Sequence, residues 1–178
     1  MTTEKVIHQL TVKPGRMTTS FWYPSVEDVL ATHDDIVSEY PNTSPGVQNR
    51  GDIEFALDYI SEGTFGSAPE TIHEKSFHLL RLLAANHPFV DGNKRTALNT
   101  VTVFYLFNGY RFEYDDVIRE MLKQFGTDEK TVDEEHVLKY LRAHTHEIDL
   151  AEDLSEWRDE LIQYGFEQLT DEPSDPNG

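Results

Sequence analysis

His87-Pro88-Phe89-Val90-Asp91-Gly92-Asn93-Lys94-Arg95 is the stretch on which the reading of this chain turns. Pro88 has no amide proton to give and Gly92 permits a tight turn, so these residues interrupt a helical pattern. Before them, Glu70 to Asn86 carries Ile72, Phe77, Leu80, Leu83 and Ala84 at helical spacing. After them, Lys94 to Asn108 is apolar on nearly all sides, as the central helix of a bundle should be, and Asn108-Gly109 is a C-terminal stop. The loop therefore joins two helices, and the amides of Gly92, Asn93 and Lys94 fall at a helix N-terminus. Free amides and the positive end of the helix dipole make an anion site there, and Gly92 lets the backbone curl into a nest of donors.

The side chains fit the same reading. Lys94 and Arg95 set two positive charges side by side at that anion site; arginine forks onto phosphate and lysine offers a point charge. A carboxylate beside phosphates, here Asp91, is where Mg²⁺ is commonly held. Histidine is the side chain suited to removing a proton from a hydroxyl near neutral pH, and His87 stands four residues before Asp91. Each feature alone is ordinary: a capping histidine, an Asp-Gly-Asn turn, a solvated Lys-Arg pair. Together in nine residues they form a base, a metal ligand and a phosphate cradle, a minimal kit for phosphoryl or nucleotidyl transfer.

Outward from this loop the chain reads as helical. Ser25 is an N-cap for a helix to about Tyr40, carrying Val26, Val29, Leu30, Ile36 and Val37; Pro41 to Gly46 breaks it. A second helix covers about Asp52 to Ile60. Ser61 to Ser67 is Gly-rich and suits a small hairpin or flap. Further helices are expected near 116–124 and 133–144, the second with a Thr131-x-x-Glu134 capping box. Phe21-Trp22-Tyr23 is expected to pack under the bundle or near a partner. His144-x-His146-Glu147 has the wrong spacing for two ligands on one helix face and reads as a solvated helix end. Val6 to Val12 suits a short strand or a flexible arm. Leu154, Trp157, Leu161 and Tyr164 are spaced for an amphipathic helix, and the stretch beyond Thr170 has a disordered composition. The expected organisation is an N-terminal arm (1–20), an all-α domain (21–146) with one small hairpin, an acidic C-terminal helix (147–170) and a disordered tail (171–178).

Composition narrows the function. The 178 residues hold 33 acids against 15 lysines and arginines, a net charge of −18. Such a chain repels nucleic acid. The acid is spread along the whole chain, which suits either a halophile's protein or an acidic cytoplasmic one. The absence of cysteine excludes disulfides and thiolate metal sites and fits a reducing compartment. No signal-peptide pattern opens the chain, and Val101 to Phe107 is far short of the roughly 20 residues of a membrane helix. A soluble, cytoplasmic protein is expected.

His-Pro-Phe-x-Asp-Gly-Asn-Lys-Arg resembles the signature loop of the Fic/Doc family, a long and ordered motif. Thr96-Ala97-Leu98-Asn99 resembles the death-on-curing (Doc) branch. Leu30-x-x-His33-Asp34, Gly51-Asp52 and Asn108-Gly109 stand in a similar order, so the resemblance spans about residues 25–145. It implies a Fic-fold helical bundle using ATP and Mg²⁺ to modify a hydroxyl of a target protein. It implies His87 as general base, Phe89 as loop anchor, Asp91 as Mg²⁺ ligand, Gly92 and Asn93 as anion nest, and Arg95 as phosphate grip. It also suggests Phe65 at the tip of a flap that aligns the target backbone by strand addition.

Lys94 bears on the reaction. Adenylyl-transferring relatives have Gly there and a second Arg three residues after the first; this chain has Leu98 at that place. Both features resemble the Doc branch, which transfers the γ-phosphate to the elongation factor that delivers aminoacyl-tRNA and is held by an antitoxin. Gly92, where Doc has Ala, and Ala85, where Doc has Arg, depart from that branch. Phosphoryl transfer is the favoured reading and adenylyl transfer stays open, as does a non-catalytic partner-binding module. The inhibitory Ser/Thr-x-x-x-Glu-Gly/Asn motif is missing: Glu62-Gly63 is preceded by Asp58 at the decisive place. The Leu154–Tyr164 helix is then either a cis-acting mimic of an antitoxin segment or a packing or dimer helix.

Overall fold

The computed structural model describes residues 20–149, 151–153 and 155. Among the described residues six α-helices carry the fold: α1 (Val26–Glu39), α2 (Arg50–Ser61), α3 (Ile72–Ala85), α4 (Asn93–Phe107), α5 (Val117–Thr127) and α6 (Glu134–Ala143). Local chemistry sets several starts. Ser25 with Asp28, and Thr71 with Glu74, form reciprocal capping boxes on α1 and α3. Asn49 caps α2 through the Gly51 amide, two residues earlier than the sequence pattern suggests.

The expected capping box at Thr131 does not form. Thr131 lies in a 3₁₀ turn (Glu129–Thr131), and Asp133 caps α6 by accepting from the His136 amide. The carboxylate two residues nearer the helix takes the cap, and Asp is as good a cap as any residue.

Helices α3 and α4 are the centre, with α2, α5 and α6 against α3 and α1 against α4. The core is apolar and aromatic: Leu79, Leu80, Leu83, Val101, Phe104 and Tyr105 from the central pair, with Val29, Ile53, Ile60, Ile118, Phe125 and Leu141 closing over them. Phe21, Trp22 and Tyr23 pack on it, and Tyr23 stacks on Phe104 at 5.8 Å. Asn108 clips that segment to the end of α4: its Oδ1 accepts from Trp22 N–H at 2.9 Å, and its Nδ2 donates to Trp22 O at 3.0 Å.

The small sheet lies elsewhere than expected. Strand β1 (Tyr110–Phe112) pairs antiparallel with β2 (Thr145–Glu147), with Arg111 opposite His146. In the 61–67 stretch only a single bridge, Thr64 to Ser67, closes a tight turn. Two glycines there, Gly63 (φ 74°) and Gly66 (φ 79°), turn the chain too sharply for a ladder. His144 ends α6 and His146 lies in β2. Strand β2 carries the folded unit one residue past 146, and the Ile148 amide bonds back to Gly109 O at 2.9 Å. Residues 151–153 and 155 begin a further helical turn. The expected strand or arm at 6–12, most of the 154–164 helix and the 171–178 tail fall outside the described residues. No helix among the described residues is long and apolar enough to cross a membrane.

Candidate active site

The nine-residue loop leaves α3 at Asn86 and enters α4 at Asn93. His87 opens it in the left-handed region, φ 51°, so the chain reverses at once. Pro88 and Phe89 then turn inward. Phe89 is 1% exposed, and its ring stacks on the imidazole of His33 at 3.8 Å and 11°. Phe89, the expected loop anchor, thus packs face to face with His33, which is also buried.

Asn93 holds the loop shut. Its side-chain Oδ1 accepts from Phe89 N–H at 2.9 Å, and its Nδ2 donates to Phe89 O, also at 2.9 Å. Both ends of the amide are consumed by the backbone of one buried residue, so the Asn93 side chain is a clasp. Its contribution to an anion site is limited to its backbone N–H.

The backbone of the candidate anion site is a helix N-terminus. Gly92 caps α4 with φ 74° and no side-chain hydrogen bond, and the first intrahelical bond runs from Thr96 N–H to Gly92 O at 2.9 Å. The amides of Asn93, Lys94 and Arg95 therefore lack intrahelical acceptors at the positive end of a 15-residue helix. A Cβ on Gly92 would lie 3.2 Å from Thr43 Cγ2, so the approach is close as well as left-handed.

Asp91 stands at the edge of this nest, exposed, with Oδ1 against Gly92 N–H at 2.6 Å and Oδ2 accepting from Ser44 N–H at 3.3 Å. Lys94 and Arg95 are exposed. Arg95 Nη1 donates to Thr43 Oγ1 at 3.1 Å, and its guanidinium lies over the Tyr40 ring at 4.3 Å. His87 is exposed, and its Nε2 lies 3.2 Å from the Gly126 carbonyl near the end of α5. A carbonyl only accepts, so in this arrangement Nε2 donates, and in the neutral tautomer that this selects Nδ1 holds the lone pair.

A second segment braces the loop. Gln48 and Asn49 amides both donate to Pro88 O, at 2.8 and 3.1 Å, and Val90 N–H donates to Gly46 O at 3.0 Å. A single antiparallel bridge joins Val47 to Phe89. Sequence reasoning reads Pro41–Gly46 only as a helix break and misses this role; its dense turn chemistry was the available signal. His33 is buried behind the nest, with Nδ1 3.2 Å from Thr96 Oγ1. Burial pushes its imidazole below the ordinary value, although the nearby Asp34 and Asp91 carboxylates pull the other way.

Thus one loop and the first turn of α4 bring together His87, Asp91, Gly92, Asn93, Lys94 and Arg95. Phe65 is not among them: at 110% exposure and φ 53° it stands free at the tip of the 64–67 turn. Among the described residues, no group of three His, Cys, Asp or Glu side chains can hold a metal ion by itself. A single exposed carboxylate next to a candidate anion site fits Mg²⁺, which is held by one or two carboxylates together with phosphate oxygens.

These features define a helical protein with a loop that carries a candidate anion site, a candidate base and a candidate metal ligand. The Fic/DOC family profile matches residues 23–105. A relative, the protein kinase doc of Escherichia phage P1, is 33% identical over 85 residues, covering 48% of this chain and 67% of the phage protein. The chain belongs to the Fic/Doc family.

Proposed function

We propose that this protein is a Mg-ATP-dependent transferase that phosphorylates a hydroxyl group of a target protein. One observation carries the reading: a base, a carboxylate, three uncapped amides and two cations share nine contiguous residues, and the backbone that sets them is clasped by Asn93. His87 takes the proton of the acceptor hydroxyl on Nδ1 while Gly126 O holds its Nε2–H. The amides of residues 93–95, with Lys94 and Arg95, hold phosphate oxygens and offset the negative charge that builds on them. Asp91 holds Mg²⁺, which when bound neutralises phosphate charge. The acceptor oxygen forms a bond to the γ-phosphorus, the bond to the β-phosphate oxygen breaks, and ADP leaves.

Lys94 at the loop end and the phage relative's being a protein kinase both support γ-phosphoryl over adenylyl transfer. Leu98 packs against the core where an adenylylating relative would need a cation. The same likeness supports a role as the toxin of a toxin–antitoxin pair, with a translation elongation factor as target and an antitoxin as partner. The test is label transfer to a host lysate in high salt with Mg²⁺, using ATP labelled at the α- or the γ-phosphate, with His87→Ala as control. His87-dependent γ-label alone is expected. α-Label would make the protein an adenylyltransferase. Absence of His87-dependent label from both would leave a partner-binding module.

A further inference from the structure

Six arginines lie among the described residues, and five of them face carboxylates: Arg50 with Glu27 and Glu54, Arg81 with Glu129, Arg111 with Asp153, Arg119 with Asp116, and Arg142 with Glu135. Arg95 is the sixth. In a chain with 33 acids it has no carboxylate partner among the described residues; it is held instead by a hydroxyl and an aromatic face. An ion pair would orient a guanidinium but cancel the charge that an incoming anion needs. A neutral acceptor and a ring orient it and leave the charge in place.

The neutral holder is itself rigid. Thr43 is 6% exposed, and its amide donates to Tyr40 O at 2.8 Å, so Tyr40 and Thr43 belong to one closed turn after α1. The next residue, Ser44, donates its amide to Asp91, and the Thr43 methyl packs where a side chain on Gly92 would stand. The turn therefore touches the candidate metal ligand, the nest glycine and the arginine at once. Thr43 takes one of the five guanidinium N–H donors and leaves the rest for an anion.

We propose that Tyr40 and Thr43 are positioning residues that hold Arg95 as a charge-intact grip for the phosphates of the nucleotide. This rests on the nucleotide-binding reading of the loop. The experiment is titration of the full chain with Mg-ATP by calorimetry, alongside thermal melts of every variant. Thr43→Val keeps the shape and the methyl contact but loses the acceptor; it is expected to weaken binding about tenfold without moving the melt. Thr43→Ser is expected to restore affinity. Tyr40→Leu is expected to weaken binding about threefold and Tyr40→Phe to match wild type, because the ring face is what the guanidinium uses. Arg95→Met should lose as much as Thr43→Val or more, and the double variant should bind no worse than Arg95→Met alone.

Wild-type affinity in Thr43→Val, failure of Thr43→Ser to rescue it, or multiplicative losses in the double variant would each overturn the proposal. Wild-type protein that does not bind Mg-ATP would instead overturn the nucleotide-binding reading beneath it. Since Tyr40 is an exposed surface residue, its pair of variants keeps the question answerable even if Thr43→Val does not fold.

Discussion

Asn93 offers the most direct check on how the loop is built. Its side-chain amide makes two bonds of 2.9 Å to the backbone of one buried residue, Phe89 N–H and Phe89 O, and Asn93 itself is only 9% exposed. Replacing it with Ala leaves both Phe89 groups without a partner in a place water reaches poorly. At about 1–1.5 kcal/mol per bond, the loss is roughly 2–3 kcal/mol of stability. Asn93→Asp is the sharper variant. It keeps the acceptor for Phe89 N–H but sets an anionic oxygen against Phe89 O. The helix dipole returns only about 0.3–1 kcal/mol of that, so a net loss is still expected. Urea denaturation gives the stability, and Mg-ATP titration at low urea gives the site. Both variants should lose stability and nucleotide binding together, because the clasp shapes the nest that starts at Gly92. If Asn93→Ala costs less than about 0.5 kcal/mol, or if either variant loses binding at full stability, the clasp is not what holds the loop.

Other outcomes follow from the same contacts. Burial holds His33, His73 and His78 below the ordinary histidine value, His78 at about 4 between Tyr59, Phe77 and Arg81. The unfolded chain then binds more protons below about pH 6.5, so stability should be full above that value and fall steadily as pH drops toward 4. Urea midpoints across that window test this, and His78→Phe should flatten part of the slope. With a net charge of −18, self-repulsion should ease as salt is added, so the melting temperature should climb between about 0.1 and 2 M KCl; a flat profile would refute that. Asn108→Ala should cost about 2 kcal/mol, since it frees Trp22 N–H and O at the end of α4. Faster proteolysis before Tyr23 would report that release.

The sequence by itself determined a good deal. Apolar periodicity and local caps are written in near neighbours, so α1 through α6 were legible, with starts off by a residue or two. The candidate active-site loop was legible because its parts are contiguous: a helix N-terminus builds its own amide nest, and His87, Asp91, Lys94 and Arg95 need no distant partner to be read as candidates. Asn93 was legible only as a backbone amide of the nest; that its side chain clasps Phe89 was not. Tertiary structure alone decided the pairing of 110–112 with 145–147, because two three-residue strands with α5 and α6 between them leave no local turn signal. It also decided that His33 stacks under Phe89, and that the Tyr40–Asn49 turn braces the loop and holds Arg95. These contacts join residues some fifty positions apart. Composition records which side chains exist; only packing brings a neutral threonine, rather than a carboxylate of the described residues, to this arginine.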